Sequence, residues 1–296
     1  MIMRFNVFSS SMLKAAFSAT LLRALLIVSL AAGSLLLSSP ATASDLAAVR
    51  ERGKLIMLSV PHQESAFVRT NIERGPMKRQ GTAEDFHGVD VEIMKRFADS
   101  LGVELEVRPA VAANGIPAYP ELFEWLGRGD GDIIASSLTI TEQRKQRVDF
   151  SRPYHAVYPI VIVRTDSFIE APEDLDQAIA ANLPGSSQEE HLRRLGFTDE
   201  RIHFKEFTLE AYDAVLEGTA DFTLVDSDSA YSFMSENRNL KIAFRLPGVE
   251  DPYGYAVPKN SDLLPPLNTF LEELEESGEL SRIKSRFLGE TLQPES

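Results

Sequence analysis

The sequence contains no cysteine. This absence excludes disulfides, thiolate metal sites, a cysteine nucleophile and the lipid-bearing cysteine of a bacterial lipoprotein. Acidic residues are also absent before Asp45, where Arg4, Lys14 and Arg23 precede an apolar run at 24–37. This run of about 14 residues is shorter than the roughly 20 that span a bilayer. The pattern therefore predicts a cleaved secretory signal peptide over residues 1–43 rather than a retained membrane anchor.

The small residues Ala41 and Ala43 place the predicted cleavage after Ala43, and we expect a periplasmic protein with no membrane insertion after cleavage. Residues 1–43 hold three of the 30 basic residues and none of the 44 acidic ones. The mature chain of 253 residues would then carry 27 basic against 44 acidic residues, a net charge of −17. This charge disfavours nucleic acid and anionic membrane surfaces as partners.

Strand-like and helix-like segments alternate along the mature chain. The apolar run at 54–60 predicts a buried strand, and helical spacing after Asp90 predicts a helix that Asp90 caps and Gly102 ends. Further strands are predicted at 104–108, 132–136, 160–164, 178–183 and 221–225, and further helices around 45–52, 120–126, 212–216, 263–277 and 280–287. The alternation predicts an α/β fold with a largely parallel sheet. Residues 61–86 are polar and predict a long loop.

The stretch DIIASSLTITEQRKQRVDFSRPY at 132–154 closely resembles the signature of family 3 bacterial extracellular solute-binding proteins, the polar-amino-acid binding proteins of ABC importers. The resemblance extends through GVDVEIMKRFADSLGVELEV, LEAYDAVLEGTADFTLVDSDSA and YGYAVPKNSDLLPPLNTFLEELEESGELSRIKSRFLG. It covers nearly all of residues 45–290 and omits chiefly the segment 61–86.

The resemblance implies the two-lobed periplasmic-binding-protein fold, in which two α/β lobes are joined by two crossover strands and the ligand cleft lies between them. The first lobe is then discontinuous and is expected at 45–157 plus 257–290, with the second lobe at 158–256. We expect the crossovers near Tyr158–Val161 and Tyr255–Val257.

The same resemblance implies a ligand site in the first lobe. In the family, the position of Arg144 binds the α-carboxylate of the ligand, and a guanidinium suits this role because it donates two parallel hydrogen bonds. The positions of Ser137 and Thr139 contact the substituents of the ligand's α-carbon. Two alternatives stay open: Arg144 pairs with a neighbour such as Asp149 or Glu142, and Thr139 or Thr141 caps the following helix.

The second lobe is expected to contribute Ser186, Ser187 and Asp226. The two serines open a helix whose free N–H groups suit a carboxylate, although such a turn also serves as an ordinary cap. Asp226 ends a strand, at the sheet edge where α/β proteins bind ligands, and the matching family residue receives the ligand's ammonium. Asp228 is its competitor, and either carboxylate could instead cap the next helix.

These features predict a monomeric binding protein that captures a small carboxylate-bearing ligand, expected to be an amino acid, for an ABC permease. The sequence leaves the identity of the ligand open. We expect no cofactor, and no metal site either, because no paired spacing links the lone histidines such as His62, His87 and His155.

Two other functions compete with import. A few proteins of this fold are enzymes, the cyclohexadienyl dehydratases. If this chain were such an enzyme, His62 and Glu64 would be its candidate acid–base groups. The chain also resembles the N-terminal module of lytic murein transglycosylase F, which would make it a sensor or a cell-wall recognition domain. The chain ends at Ser296, so we expect no muramidase domain after the module. No catalytic constellation is identified, and the sequence therefore favours a binding protein over an enzyme.

Overall fold

The computed structural model describes residues 46–61, 65–70, 81–82, 85–234 and 238–289. The predicted signal peptide, the pair His62 and Glu64, and much of the predicted 61–86 loop lie outside these residues. Within the described ranges, no helix combines the length and the apolar character needed to cross a membrane.

The described elements alternate between helix and strand, as the sequence predicts. The helices are α1 (Leu46–Arg52), α2 (Val89–Leu101), α3 (Tyr119–Arg128), α4 (Glu142–Lys145), α5 (Ser187–Arg194), α6 (Thr208–Leu216), α7 (Ser227–Met234), α8 (Leu264–Glu276) and α9 (Glu279–Leu288). The strands are β1 (Lys54–Ser59), β2 (Arg69–Thr70), β3 (Gly81–Thr82), β4 (Phe86–His87), β5 (Glu104–Pro109), β6 (Ile133–Ile134), β7 (Val148–Phe150), β8 (His155–Val157), β9 (Pro159–Arg164), β10 (Ala180–Asn182), β11 (Ile202–Phe204), β12 (Phe222–Asp226), β13 (Leu240–Arg245), β14 (Asp251–Tyr253) and β15 (Ala256–Pro258).

The first lobe is built on a six-stranded sheet in the order β3-β5-β1-β6-β15-β7. Successive side chains of a strand point to opposite faces of the sheet, and helices cover both faces here. Leu55 and Met57 of β1 pack with apolar residues of α2, α8 and α9 on one face. Leu58 packs on the other face against Leu122 and Trp125 of α3.

The second lobe is built on a five-stranded sheet in the order β11-β10-β12-β9-β13. Ile160 and Ile162 of β9 pack with Tyr212 of α6 and with residues of α7 on one face. Val161 and Val163 pack with α5 on the other face. The two α/β lobes thus each have a core of their own on either side of a sheet.

The sheets are mixed, so the prediction of a largely parallel sheet was wrong. Three strands are parallel in each lobe, β5-β1-β6 in the first and β11-β10-β12 in the second. Strands β9 and β15 run antiparallel to their neighbours. Both follow a direct passage from the other lobe without a crossover helix, and parallel pairing of successive strands needs such a helix.

A two-stranded ribbon of β8 and β14 carries the chain between the lobes. Its register pairs Asp251 with Val157 and Tyr253 with His155. Strand β9 follows β8 directly, and β15 follows β14. The ribbon thus precedes both segments at which the sequence placed the crossovers. The residue limits of the lobes stay a prediction.

Asp90 does not cap α2, contrary to the prediction. Gly88 occupies the N-cap position, and Val89 and Asp90 donate their backbone N–H groups to the carbonyl oxygens of Ala66 and Phe67. A Cβ on Gly88 would lie 2.3 Å from the Phe67 oxygen, so this close approach requires glycine. The prediction failed because neighbouring backbone satisfies the start of the helix, which leaves the Asp90 carboxylate available elsewhere. Gly102 ends the helix as predicted.

Candidate ligand-binding cleft

A cavity of about 660 Å³, counted with its open mouth, lies between the lobes. Residues of both lobes and of the ribbon line it, among them Ser65, Phe67, Tyr119, Ser137, Asn182, Ser186, Gln188, Thr223, Asp226, Asp228 and Tyr253. Three of the six predicted ligand residues, Ser137, Ser186 and Asp226, are in this lining.

Asp226 lies at the carboxyl end of β12, as a parallel strand of an α/β sheet would place it. Gln188 donates from Nε2 to its Oδ1 at 2.7 Å, and the Tyr253 hydroxyl donates to its Oδ2 at 2.5 Å. The pKa of Asp226 is raised to about 6, mainly because the protein removes the carboxylate from water; the nearby Asp251 carboxylate adds to the rise. Each oxygen keeps a lone pair for a further donor.

Asp228, on the first turn of α7, brings a second carboxylate to the cavity and is 8% exposed. Its Oδ1 accepts the backbone N–H of Ser229 at 2.7 Å, whereas no described residue donates to Oδ2. The nearest cationic candidate is His155, whose Nε2 lies 3.9 Å from Oδ2. The pKa of Asp228 is raised to about 7 by burial and by repulsion from Asp226. The sequence analysis gave Asp226 and Asp228 as alternative partners for the ligand's ammonium, and in the structure both line the same cavity.

Ser137 enters the cavity from a turn that Asp90 holds. Its φ of 44° is in the left-handed region that favours glycine, and its backbone N–H donates to Asp90 Oδ2 at 2.7 Å. The other Asp90 oxygen accepts the hydroxyls of Tyr154 at 2.5 Å and Tyr255 at 3.1 Å. Burial raises the pKa of Asp90 to about 6, against these hydrogen bonds. Asp90 is therefore a positioning residue that the sequence analysis missed, because it was assigned to the helix cap.

Arg144 bridges the lobes beside the cavity. Its Nη1 donates to the carbonyl oxygen of Thr139 at 2.9 Å, and its Nη2 donates to that of Gly185 at 3.1 Å. The side chain is buried, and burial lowers the pKa of Arg144 while Glu190 opposes the change. The alternative neighbours have other partners: Asp149 pairs with Lys259, and Glu142 pairs with Lys145.

The remaining predicted residues make direct hydrogen bonds between the lobes. The Thr139 hydroxyl donates to Ser187 Oγ at 3.0 Å, and the Thr141 hydroxyl donates to Glu190 Oε1 at 3.1 Å. Together with the bond from Arg144 to Gly185, these contacts are called the inter-lobe seam below. The seam places Thr139, Arg144 and Ser187 outside the lining of the cavity, and Arg144 lines a neighbouring pocket that shares Ser186 with it.

Two of the capping alternatives are confirmed. Thr141 accepts the backbone N–H of Arg144 at 3.2 Å and so caps α4. Ser186 accepts the backbone N–H of Glu189 at 3.2 Å and caps α5. Ser186 lines the cavity as well, so capping and a place in the cleft do not exclude each other.

The structure adds aromatic walls that the sequence did not assign. Phe67 and Tyr253 pack edge to face with ring centroids 5.3 Å apart, and both line the cavity. Tyr253 belongs to the ribbon strand β14. The alternation of side chains along this strand indicates that Tyr253 is buried, but it does not indicate that Tyr253 lines a cavity. Among the described residues, no group of three or more histidine, aspartate or glutamate side chains could hold a metal ion.

Residues 66–290 match the family model described as bacterial extracellular solute-binding proteins, family 3. A curated relative is membrane-bound lytic murein transglycosylase F of Pseudomonas fluorescens (strain Pf-5), 37% identical over 210 residues that cover 68% of this chain and 42% of that protein. The chain therefore spans about two fifths of the length of this relative.

Two solved structures show the same architecture. A P235GK mutant of the protein ArgBP from T. maritima is 27% identical, with a TM-score of 0.69 over 83% of this chain and 99% of that chain. An ancestral arginine-binding protein bound to glutamine is also 27% identical, with a TM-score of 0.66 over 81% of this chain and 99% of that chain.

Proposed function

The chain belongs to the family 3 bacterial extracellular solute-binding proteins, and from this premise we propose that it captures an α-amino acid in the cavity between its lobes. Asp226 is the observation that carries the proposal, because a carboxylate withdrawn from water at a cavity wall is a strong acceptor for an ammonium group. The ancestral arginine-binding protein bound to glutamine supports a ligand of this class.

The ligand's ammonium group would bind Asp226 through the lone pairs that Gln188 and Tyr253 leave free. Both donors hold the carboxylate in one orientation, which lowers the entropy that binding costs. Asp226 would thereby read the amino group that distinguishes an amino acid from a plain carboxylate.

The ligand's carboxylate would bind at the seam, where the first lobe contributes Arg144 and Thr139 and the second contributes Ser187. The guanidinium would exchange the carbonyl oxygens of Thr139 and Gly185 for the two carboxylate oxygens, and its planar fork suits this bidentate geometry. Charge-assisted bonds of this kind are stronger than bonds to neutral carbonyls. The ligand would thus replace direct bonds between the lobes by bonds through itself.

Export and transport complete the proposal. The protein would act in the periplasm after cleavage near Ala43, as a monomer that delivers its ligand to an ABC permease. The net charge of −17 expected for the mature chain does not prevent capture of a carboxylate, because the buried Arg144 lies next to the cavity and screening weakens distant surface charges.

A second candidate function is recognition of cell-wall fragments. The 37% identity with membrane-bound lytic murein transglycosylase F favours it, since both solved structures above are less similar to the chain. Wall peptides also carry carboxylate and ammonium groups, so the same cleft chemistry would serve. The dehydratase hypothesis depends on His62 and Glu64, which lie outside the described residues, and turnover of prephenate or arogenate would test it.

A thermal-shift screen tests these functions together. The mature protein is heated with each of the common amino acids, with dicarboxylates and with muropeptide fragments, and calorimetry then measures the affinity of each stabilising compound. We expect an amino acid to give the largest shift, because ligands that bind only the folded state raise its stability. Stabilisation by muropeptides alone would favour the second candidate and reject the first.

A further inference from the structure

The cavity contains more acidic than basic groups. Asp226 and Asp228 both line it, and a zwitterionic amino acid would bring a single ammonium group for the two carboxylates. Arg144 is the arginine of the inter-lobe seam, and the ligand's carboxylate would bind it. One buried carboxylate would therefore remain without a cation.

Asp228 is that carboxylate. Its Oδ2 is buried and accepts no hydrogen bond from the described residues, whereas both oxygens of Asp226 already accept one. A buried charged group without a partner is costly, so its retention in a folded protein calls for an explanation, and binding of a cation is one. The Asp228 residue lines the cavity while its Oδ2 is covered by protein, so a ligand would reach this oxygen after a small shift of the side chain.

The groups around Asp228 attract a cation without supplying one. His155 is 3.9 Å away, but burial and the nearby Lys284 lower the pKa of His155 to about 4, so its ring is neutral at physiological pH. The rings of His155, Phe67 and Tyr253 contact one another, with centroids 5.3 to 5.7 Å apart. Aromatic faces in a desolvated site favour cations.

Charged groups on the other packed elements do not neutralise Asp228 either. Asp226 on β12 and Asp90 on α2 are acidic and repel its charge. Asp251 on β14 is paired with His191 on α5 at 2.7 Å. The balance of charges facing Asp228 is therefore negative.

We propose that Asp228, together with the rings of His155, Phe67 and Tyr253, forms a second cation subsite, so that the ligand is an amino acid with a basic side chain. The α-carboxylate and α-ammonium contacts of this ligand rest on the function proposed above. The distal guanidinium or ammonium group would donate to Asp228 Oδ2. The subsite would select against neutral side chains, because they leave the buried carboxylate unpaired.

A proton balance follows from the subsite. The pKa of Asp228 is about 7 without ligand, so part of the population is protonated at neutral pH. A bound cation favours the ionised form, and binding would therefore release a proton. The affinity for a basic ligand should rise as the pH increases from about 5.5 to about 8. The affinity for a neutral amino acid should rise less over this pH range, because only the ionisation of Asp226 would contribute to it.

The test compares ligands of similar shape and different charge. Calorimetry at about pH 8 measures L-arginine against L-citrulline and L-lysine against L-norleucine, with agmatine as the cation that lacks a carboxylate. We expect the wild type to prefer at least one basic ligand over its neutral counterpart by about tenfold or more. Asp228→Asn should bring this ratio toward one. Asp176→Asn, which removes an exposed charge from the same lobe, should leave the ratio unchanged.

Each outcome separates the subsite from the proposed function. Equal binding of charged and neutral partners, or an unchanged ratio in a folded Asp228→Asn protein, would overturn the subsite and leave amino-acid binding standing. Binding of agmatine without binding of any of the amino acids would support the subsite and reject the proposed function. Failure of all five compounds to bind would reject the subsite, and the screen with the other common amino acids would then decide the proposed function. Far-ultraviolet dichroism and thermal melting verify that the variants are folded.

Discussion

The hydroxyl of Thr139 in the first lobe donates to Ser187 Oγ in the second lobe at 3.0 Å. Both residues were predicted as ligand contacts, and in this structure they contact each other. Arg144 behaves in the same way, since its guanidinium joins a carbonyl of each lobe. Polar groups suited to a ligand thus satisfy one another across the cleft, and we propose that a bound carboxylate would compete with these bonds.

Replacing Arg144 by alanine should weaken amino-acid binding by about 30-fold or more. Loss of a desolvated charge partner typically costs about 2–5 kcal/mol, and each 1.4 kcal/mol is a factor of ten. Arg147→Ala is the matched control, because Arg147 also lies over the Phe123 ring but pairs with the exposed Glu124. Calorimetry with the amino acid found by the screen measures both. Unchanged affinity in Arg144→Ala would limit Arg144 to a structural role in the seam.

Asp90→Asn should weaken ligand binding without contact to the ligand. In Asp90, one carboxylate oxygen accepts the backbone N–H of Ser137, and the other accepts the hydroxyls of two tyrosines. An asparagine amide has only one acceptor oxygen, so one of these two sets of hydrogen bonds is lost. We expect a loss of about 1–3 kcal/mol in the free energy of unfolding and a lower affinity, because the Ser137 turn is released. Asp99→Asn on the exposed face of the same helix is the control. Loss of stability with unchanged affinity would show that the turn does not position a ligand contact.

The part of the site that the sequence could predict depends on strand ends and helix starts. Asp226 follows a buried strand and Ser186 opens a helix, so periodicity and capping chemistry locate both. The orientation of Arg144 is set by a carbonyl at Gly185, 41 residues away along the chain, which no local pattern reveals.

The fold was also predictable only in part. Alternating helices and strands indicate an α/β fold, whereas the two lobes were implied only by the family resemblance. The ribbon pairs β8 with β14, and each strand has three residues, too few to reveal the pairing from periodicity. Tyr253 reaches the cavity only because of that pairing. Asp90 illustrates the same limit, since its role depends on the approach of Phe67 to Gly88 and not on the helix that contains it.

The unliganded protein should be more stable at about pH 5 than at about pH 8. The pKa values of Asp90, Asp226 and Asp228 are raised in the folded state to about 6, 6 and 7. Between the unfolded values near 4 and these folded values, the folded state binds more protons, so its stability falls as the pH rises.

Asp228→Asn should reduce this pH dependence. The neutral amide removes the buried charge. Because the pKa of Asp228 is raised from 3.8 to about 7 and one pKa unit corresponds to about 1.4 kcal/mol, a gain of about 4 kcal/mol is expected at about pH 8. Chemical denaturation at both pH values measures the effect. A wild-type protein whose stability rises from pH 5 to pH 8 would contradict the assignment of three buried carboxylates with raised pKa values.

The mature protein should begin near Ser44 and be recovered from the periplasm. The prediction follows from the short apolar run, the basic residues before it and the absence of a lipid-bearing cysteine. Intact-mass measurement of the protein released by osmotic shock tests it. Recovery of the full-length chain in the membrane fraction would show that the N-terminal segment is retained as an anchor.

The most direct test of amino-acid capture at Asp226 compares two ligands on two proteins. The ligands are the amino acid with the largest thermal shift and its deaminated analogue, which is δ-guanidinovaleric acid if the amino acid is L-arginine. The proteins are the wild type and Asp226→Asn, and calorimetry measures all four affinities. An ionised Asp226 left without its ammonium is costly, whereas the amide is neutral. We predict that the mutation weakens the amino acid strongly and strengthens the analogue; equal effects on both ligands would contradict amino-acid recognition by Asp226.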